Sequence, residues 1–256
     1  MTQDLKGKIA LVTGGSRGIG RAIATALALR GATVAVHYGK NPKAAEETVA
    51  AVKAAGGDGF AIGADLAQKG AAKALFTALD AELTRRTGGT RFDILVNNAG
   101  IAPFVGLADA TEEVVDEIYA VNVRALFFIT QAALPRLNDG GRIISTSSIV
   151  SRLPFVGLEA YSMLKAPVDN LTRALAQQLG PRAITVNAVA PGVIATDMAE
   201  FVHTPEGKEM TLGKQALKRV GQPEDIADVV AFLASPAGRW VTGETIEVGG
   251  GSGLAF

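Results

Sequence analysis

Cysteine is absent from the 256-residue sequence, and histidine occurs only twice, as His37 and His203. The lack of cysteine excludes disulfides, thiolate nucleophiles and zinc–thiolate sites. The two histidines lie far apart in the chain, and no carboxylate cluster accompanies them at the spacing of metal ligands. A metalloenzyme is therefore not expected.

Net charge and long apolar runs are absent as well. Lys plus Arg equals Asp plus Glu at 25 each, and the isoelectric point is near 6.8. Without a basic stripe, the chain is not expected to bind nucleic acid or an anionic membrane surface. No apolar run approaches the roughly 18 residues that a membrane-spanning helix needs, and Ile9–Val12 is too short for a secretory signal. We therefore expect a cytoplasmic protein.

Short β-branched runs alternate with longer alanine-rich segments along the whole chain. The predicted strands are Lys8–Thr13, Thr33–Tyr38, Gly59–Gly63, Ile94–Asn97, Arg142–Ser147, Thr185–Ala190 and Thr245–Val248. The predicted helices are Ile19–Arg30, Pro42–Ala55, Ala71–Arg86, Glu112–Leu137, Glu159–Leu179 and Pro223–Ala234. Such alternation implies a parallel sheet that is covered on both faces. We predict a single α/β domain over residues 1–256, a Rossmann-type doubly wound parallel sheet of about seven strands.

One segment interrupts the alternation. No strand is predicted between Gly192 and Gly221, and Pro205, Gly207 and Gly213 are expected to interrupt any helix there. An insertion of this length in a compact domain usually serves function. We predict a lid over residues 192–221, because doubly wound sheets bind ligands at the carboxyl ends of their strands.

A glycine-rich turn joins the first strand to the first helix, with the sequence Thr13-Gly14-Gly15-Ser16-Arg17-Gly18-Ile19-Gly20. Glycines at such a junction let the backbone turn tightly and approach a pyrophosphate, to which the helix N-terminus offers N–H groups. A plain tight turn would also use glycine. The position between a strand and a helix favours dinucleotide binding.

The glycine spacing is TGxxxGxG instead of GxGxxG, and with it the chain resembles the short-chain dehydrogenase/reductase family. Further motifs of that family follow in order: Asn97-Asn98-Ala99-Gly100, Asn122 within a helix, Ser148 after a strand, Tyr161-Ser162-Met163-Leu164-Lys165, and Pro191-Gly192. The resemblance extends from Lys8 to Gly250 and matches the shorter branch of the family. It implies an oxidoreductase that interconverts a ketone and a secondary alcohol by hydride transfer with a nicotinamide cofactor.

Tyr161 and Lys165 are four residues apart, so they lie on one face of a helix. A cation beside a phenol lowers its pKa toward the range in which an acid–base group works. A surface lysine that packs over a half-buried tyrosine is the alternative. By resemblance Tyr161 donates the proton, Ser148, selected over Ser145 and Ser147 by the family spacing, hydrogen-bonds the substrate oxygen, and Asn122 holds a water that links Lys165 to solvent. The alternative for Asn122 is a satisfied buried amide that locally bends the helix. Ser147 is expected to have a structural or substrate-positioning role.

The end of the second strand indicates which nicotinamide cofactor is used. In NAD enzymes an acid there usually accepts hydrogen bonds from the adenosine ribose. Here Tyr38 occupies the position, and no carboxylate follows until Glu46. Arg17 and Lys40 offer positive charge to a 2′-phosphate, although Lys40 could equally be a solvated loop residue. NADP is the predicted cofactor.

Other cofactor contacts follow from the resemblance, with Asp65 at the adenine (unless it only caps a helix) and Thr196 at the carboxamide. The predicted cofactor-binding residues are Gly14, Ser16, Arg17, Gly18, Ile19, Gly20, His37, Tyr38, Lys40, Asp65, Leu66, Asn97, Ala99, Gly100, Tyr161, Lys165, Pro191, Gly192, Val193 and Thr196.

The substrate wall is expected to be mainly apolar and to suit a hydrophobic ketone, although each of its residues could equally belong to the core. The candidates are Phe104, Ile149, Val150, Ser151, Pro154, Phe155, Val193, Met198 and Phe201.

Two other functions are open. Reductases of 3-oxoacyl groups on a carrier protein have similar motifs, and they need a basic patch, for which Arg136, Arg142, Arg152 and Arg173 are candidates. A non-catalytic NADP-binding sensor would be favoured by loss of Tyr161 or Lys165, but both are present.

By resemblance the protein is a homotetramer, with Glu112–Leu137 and Glu159–Leu179 pairing across a two-fold axis. The apolar tail Leu254-Ala255-Phe256 favours burial at such an interface.

Overall fold

The computed structural model describes residues 3–153, 155–252 and 254. Within these ranges seven strands form one sheet: β1 Ile9–Val12, β2 Thr33–Tyr38, β3 Asp58–Gly63, β4 Phe92–Asn97, β5 Leu137–Thr146, β6 Thr185–Pro191 and β7 Thr245–Val248. The α-helices of the same ranges are α1 Gly18–Leu29, α2 Pro42–Ala54, α3 Ala71–Thr87, α4 Glu112–Tyr119, α5 Leu126–Ala133, α6 Glu159–Leu179, α7 Pro205–Gly213 and α8 Pro223–Ala234. A π-helical segment, Ala120–Ala125, joins α4 to α5.

All neighbouring strands are parallel, in the order β3-β2-β1-β4-β5-β6-β7. The chain therefore builds the sheet outward from β1 in one direction and then returns to β4 and builds in the other. The carboxyl ends of β1 and β4 lie side by side where the order reverses, which is where doubly wound sheets bind their ligands. The predicted Rossmann-type fold is confirmed.

Both faces of the sheet are covered, which explains why the strands are apolar almost throughout. In β1, Ala10 and Val12 belong to the core beneath α1 and α8, whereas Leu11 belongs to the core beneath α3 and α5. No helix of the described residues is both long and apolar enough to cross a membrane.

The helix predicted over Glu112–Leu137 is too long. The structure ends α5 at Ala133, and Leu137 already pairs with Phe92 in the sheet. Pro135 explains the difference, because proline has no N–H to donate to the carbonyl oxygen four residues earlier, so the helical hydrogen-bond pattern stops there.

The segment 192–221 contains a helix that the sequence argument excluded. Pro205 occupies the first turn of α7, where its missing N–H costs nothing, and Thr204 accepts a hydrogen bond from the N–H of Gly207. Gly213 is the last residue of α7. A parallel bridge between Ile194 and Gly221 closes the base of the segment.

Candidate active site

The turn after β1 is built so that backbone approaches backbone. Gly14 and Gly18 have φ of 62° and 52°, which favour glycine. A Cβ on Gly20 would lie 2.1 Å from the carbonyl oxygen of Gly14, and one on Gly14 would lie 2.9 Å from Cα of Ala99. Arg17, which precedes α1, makes no side-chain cap, so no such cap occupies the first N–H groups of the helix. These features fit a dinucleotide pyrophosphate, which needs close backbone approach and free N–H donors.

His37 supports this turn from beneath. The Gly14 N–H donates to its Nδ1 at 3.0 Å, and Nε2 lies 2.9 Å from the Ala64 carbonyl oxygen. Nε2 therefore carries the proton of the neutral ring. Burial lowers the pKa of His37. The residue was predicted among the cofactor contacts, but both ring nitrogens are committed to backbone, so its place in the structure is that of a support.

Thr13 and Asn98 join the carboxyl ends of β1 and β4. The Thr13 hydroxyl accepts hydrogen bonds from the N–H groups of Asn98 and Ala99 at 2.9 and 3.1 Å. Asn98 Nδ2 donates to the Thr13 and Gly14 carbonyl oxygens at 3.0 and 3.2 Å. Sequence reasoning assigned neither residue to the site, although Thr13 belongs to the glycine-rich turn and Asn98 to the motif Asn97–Gly100. The predicted Asn97 instead directs its amide to Thr130 of α5, at 3.0 Å.

The end of β2 carries no acid, as predicted. Tyr38 packs against Gly63, where a Cβ would lie 2.8 Å from its ring. Lys40 is exposed, and the guanidinium of Arg17 lies 3.4 Å from Asp197 in segment 192–221. Asp65 accepts from the Ala67 N–H at 3.1 Å and so caps its own turn.

The helix that follows this turn begins later, at Ala71, with Gly70 before it. Leu66 is buried beside Asp65. Asp65 thus does not cap α3, and the helix-entry alternative is wrong.

Ser148, Tyr161 and Lys165 meet beyond the carboxyl end of β5. The Ser148 hydroxyl accepts from the Val150 N–H at 3.3 Å, which begins the short 3-10 turn Ile149–Ser151. Lys165 is only 3% exposed, lies with Nζ 5.7 Å from the Tyr161 ring centroid, and donates to the Thr146 carbonyl oxygen at 2.8 Å. The alternative of a surface lysine over the tyrosine is therefore wrong.

Burial dominates the electrostatics of this pair. It raises the pKa of Tyr161 to about 12, and a hydrogen bond with Ser148 acts in the opposite direction. It lowers the pKa of Lys165 to about 8, against an attraction to Asp169. The expectation that Lys165 lowers the phenol pKa is therefore not met in the protein on its own, because burial decides the direction of the shift and raises the pKa. Tyr161 keeps its proton at neutral pH, as a proton donor must.

Asn122 lies in the π-helical segment and is 1% exposed. Its amide pairs with the backbone of Ile101, accepting from the N–H and donating to the carbonyl oxygen, each at 2.9 Å. A Cβ on Gly100 would lie 3.2 Å from Asn122 Oδ1 and 3.5 Å from Lys165 Nζ. The structure thus brings Asn122, Gly100 and Lys165 together. Such π segments often occur at functional sites. The satisfied amide and the irregular helix agree with the alternative stated for Asn122, although the sequence did not identify the segment as π-helical.

Phe104, Phe155 and Phe201 of the predicted substrate wall are all at least partly exposed. Phe104 is 69% exposed, and its ring lies against Gly157, where a Cβ would be 2.6 Å away. Lys214, just after α7, stacks over the Phe155 ring at 4.5 Å from its centroid. Met198 and Phe201 are partly exposed in the same segment. Pro154 lies outside the described residues, as do Ala255 and Phe256 of the predicted tail.

The four arginines proposed as a carrier-protein patch do not all lie together. Arg136 makes a bidentate pair with Asp80, and Arg142 donates to the carbonyl oxygens of Gly140 and Gly141 within β5. Arg152 lies beyond the opposite, carboxyl end of that strand. The arrangement follows from the strand direction, which separates Arg142 from Arg152.

Comparison with known proteins identifies the family. A family model described as enoyl-(acyl carrier protein) reductase matches residues 14–252. Versicolorin reductase 1 of Aspergillus parasiticus is 44% identical over 260 residues, which cover 97% of each chain. The crystal structure of the angucycline C-6 ketoreductase LanV with bound NADP is 43% identical, with a TM-score of 0.95 and coverage of 99% of this chain and 98% of that one. A second LanV structure contains NADP and rabelomycin, at 42% identity, a TM-score of 0.90 and 98% coverage of both chains.

The chain belongs to the short-chain dehydrogenase/reductase family. It is an NADP-dependent oxidoreductase that acts on C=O and CH–OH groups, and the predictions of family, cofactor and reaction are confirmed.

Proposed function

We propose that the protein is a ketoreductase in which Tyr161 protonates the substrate oxygen. The observation that supports this most is that Ser148, Tyr161 and Lys165 meet beside the glycine turn, at the carboxyl end of the sheet. Bound NADPH supplies the hydride to the carbonyl carbon. The Ser148 hydroxyl holds the carbonyl oxygen beside Tyr161, which donates its proton as negative charge develops.

Lys165 and Asn122 complete the proposed set of site residues. Protonated Lys165 stabilises the phenolate that Tyr161 leaves behind. Asn122, held by Ile101 at the π segment, keeps a water near Lys165 that returns a proton from solvent. The predicted cofactor contacts, including Arg17 and Lys40 at the 2′-phosphate, belong to the same proposal.

Segment 192–221 is proposed as the lid. Three contacts join it to the rest of the site: Arg17 with Asp197, the close approach of Gly18 to Thr196, and Lys214 on Phe155. The lid thus touches both the cofactor turn and the substrate wall.

The proposed substrates are flat polycyclic aromatic ketones. Versicolorin reductase 1 and LanV, one of whose structures contains rabelomycin, support this class. The mouth of the site supports it too, because exposed Phe104 and Met198 offer apolar surface to a planar ring system.

A substrate panel tests the proposal. NADPH oxidation is followed with polycyclic aromatic ketones, small aliphatic ketones, and 3-oxoacyl thioesters on coenzyme A and on a carrier protein. We expect the highest kcat/KM for the polycyclic ketones. Faster turnover of carrier-bound thioesters would instead favour 3-oxoacyl-carrier-protein reductase, and no turnover alongside tight NADPH binding would favour a sensor.

A homotetramer and a cytoplasmic location stay part of the proposal. Tyr119 on α4 and Phe127 and Phe128 on α5 are each nearly half exposed, which supports burial against another subunit. Light scattering on the purified protein would test the tetramer.

A further inference from the structure

A buried carboxylate next to the site has no part in the mechanism described above. Asp169 lies on α6, one turn beyond Lys165 and two beyond Tyr161, and it is 7% exposed. Residues at this spacing share one helix face. Burying a carboxylate costs several kcal/mol unless it is well partnered, so its surroundings are informative.

Two hydroxyl groups from different elements hold the carboxylate. Ser151 Oγ donates to Oδ2 at 3.0 Å, and Thr245 Oγ1, at the start of β7, donates to Oδ1 at 3.2 Å. The backbone N–H of Ser151 in turn donates to the Ser148 carbonyl oxygen at 3.1 Å. A short chain of hydrogen bonds therefore runs from the helix that carries Tyr161 to the turn that carries Ser148.

The charges around Asp169 come from three elements. Arg152, after the 3-10 turn, places Nε 3.5 Å from Oδ2, and its Nη1 lies 3.4 Å from Glu247 of β7. On the other side, along α6, is Lys165, whose pKa Asp169 raises against the effect of burial. Within the described residues Lys165 forms no ion pair, so Asp169 is the carboxylate that acts on it.

We propose that Asp169 is a positioning residue for proton transfer: it fixes the Ser148 turn against Tyr161 through Ser151, and it places a negative charge one helical turn from Lys165. The proposal rests on the proposed function, in which Tyr161 and Lys165 handle the proton. A purely structural role would need only the two hydrogen bonds and would not require the charge.

The charge is tested with Asp169→Asn, which keeps the shape of the side chain. We expect kcat/KM for ketone reduction to fall about tenfold, because small displacements of reacting groups slow a reaction strongly. Reduction also loses rate at high pH as Lys165 deprotonates. Without the carboxylate Lys165 loses its proton more readily, so this alkaline limb moves to lower pH, by about one unit or less because Arg152 offsets part of the charge.

Arg152→Gln gives the opposite sign and does not endanger folding, since the Arg152 side chain is 41% exposed. Removing this cation leaves Asp169 freer to act on Lys165, so the alkaline limb moves to higher pH. Ser151→Ala removes the hydroxyl that bonds Asp169, so it disconnects Asp169 from the Ser148 turn but keeps the carboxylate charge. We expect kcat to fall while the alkaline limb stays at the parent pH. Asp80→Asn is the matched control, because Asp80 is another paired carboxylate but lies on α3, away from the site.

The outcomes separate the two proposals. Full activity in a Tyr161→Phe variant would contradict the proposed function itself. If Tyr161→Phe is inactive but the limb stays at the parent pH in both Asp169→Asn and Arg152→Gln, the positioning role of the Asp169 charge is overturned. A limb that moves in the same direction in both variants overturns it as well.

Discussion

The two sides of the active site differ in whether backbone or side-chain atoms form them. The cofactor side, at the ends of β1, β2 and β4, is made of backbone: glycines such as Gly14 and Gly20 lie where a Cβ would collide. The catalytic side, around β5 and α6, is made of polar side chains, of which Ser148 and Lys165 are buried. A substitution that adds a side-chain atom should therefore impair cofactor binding on the first side, and a substitution that removes a polar atom should impair catalysis on the second.

Hydrogen bonding shows the same contrast. On the cofactor side, His37, Thr13 and Asn98 bond to backbone and hold the turn in place. On the catalytic side, the hydroxyl of Ser147 is buried without a partner among the described residues. A buried unsatisfied hydroxyl is costly and often has a functional reason. The contrast is one of degree, because Asn97 Oδ1 at the end of β4 is also buried without a partner among the described residues, and no side chain caps the first N–H groups of α1.

The largest expected effect comes from removing one atom on the catalytic side. Tyr161→Phe deletes the hydroxyl and keeps the ring, so kcat should fall about a hundredfold or more. NADPH affinity, measured by fluorescence titration, should stay near that of the parent. Activity within a few-fold of the parent would refute Tyr161 as the proton donor and would break the contrast between the two sides.

Lys165→Met should be nearly as damaging to kcat and should also weaken NADPH binding. The same change should stabilise the protein, because it removes a buried cation. The pKa of Lys165 falls from 10.5 to about 8 on folding, so the gain is about 1–3 kcal/mol below pH 8.

Between pH 8 and 10.5 the unfolded parent binds more protons than the folded parent, so the stability of the parent rises with pH. The advantage of the methionine variant must therefore shrink across this window. Urea unfolding at a series of pH values measures it. A constant difference would mean that Lys165 is not a strained buried charge.

Gly20→Ala tests the cofactor side by adding one atom. The new Cβ meets the Gly14 carbonyl oxygen, so the turn must move, with a loss of about 1–3 kcal/mol of stability and of NADPH affinity. Gly89→Ala is the control, since nothing lies within 4 Å of a Cβ there. Equal thermal stability and NADPH affinity in both variants would contradict the steric account.

Changing Tyr38 to Asp adds a charge to the cofactor side instead of bulk. The carboxylate repels a 2′-phosphate and accepts hydrogen bonds from ribose hydroxyls, so kcat/KM should fall for NADPH and rise for NADH, each by about tenfold. Removing Arg17 as well should deepen the switch. Tyr38→Asn is the uncharged control. A parent that prefers NADH would refute the roles of Tyr38 and Arg17.

The sequence predicted the order of strands and helices because each is an uninterrupted apolar or amphipathic run between turn residues. It missed α7, and it placed the end of the helix after Glu112 too late. Pro205 and Gly213 were interpreted as breakers, yet they are the first and last residues of α7. Proline suits the first turn of a helix and glycine its end, so the residue types alone do not say on which side of them the helix lies.

In the site, the motifs located the residues but not their surroundings. The direction of the Tyr161 pKa shift depends on how far the phenol is withdrawn from water, which neighbouring residues along the chain do not reveal. His37 was predicted to be one of the cofactor contacts. Only the three-dimensional arrangement shows that its ring points at Gly14 and Ala64.

The smallest predicted effect concerns this histidine. Protonation would set an N–H on Nδ1 against the N–H of Gly14, and burial already lowers the pKa of His37 below 6.5. The unfolded chain therefore binds more protons as the pH falls below 6.5, and stability should decline there. NADPH affinity should decline with it, since Gly14 belongs to the proposed pyrophosphate turn.

His37→Leu should lower stability at pH 8, because the Gly14 N–H loses its acceptor, and should remove most of this pH dependence. His203→Gln, at the other, exposed histidine, should retain it. Thermal unfolding of the three proteins between pH 5.5 and 8 decides the matter, and an unchanged slope in His37→Leu would assign the dependence to other groups.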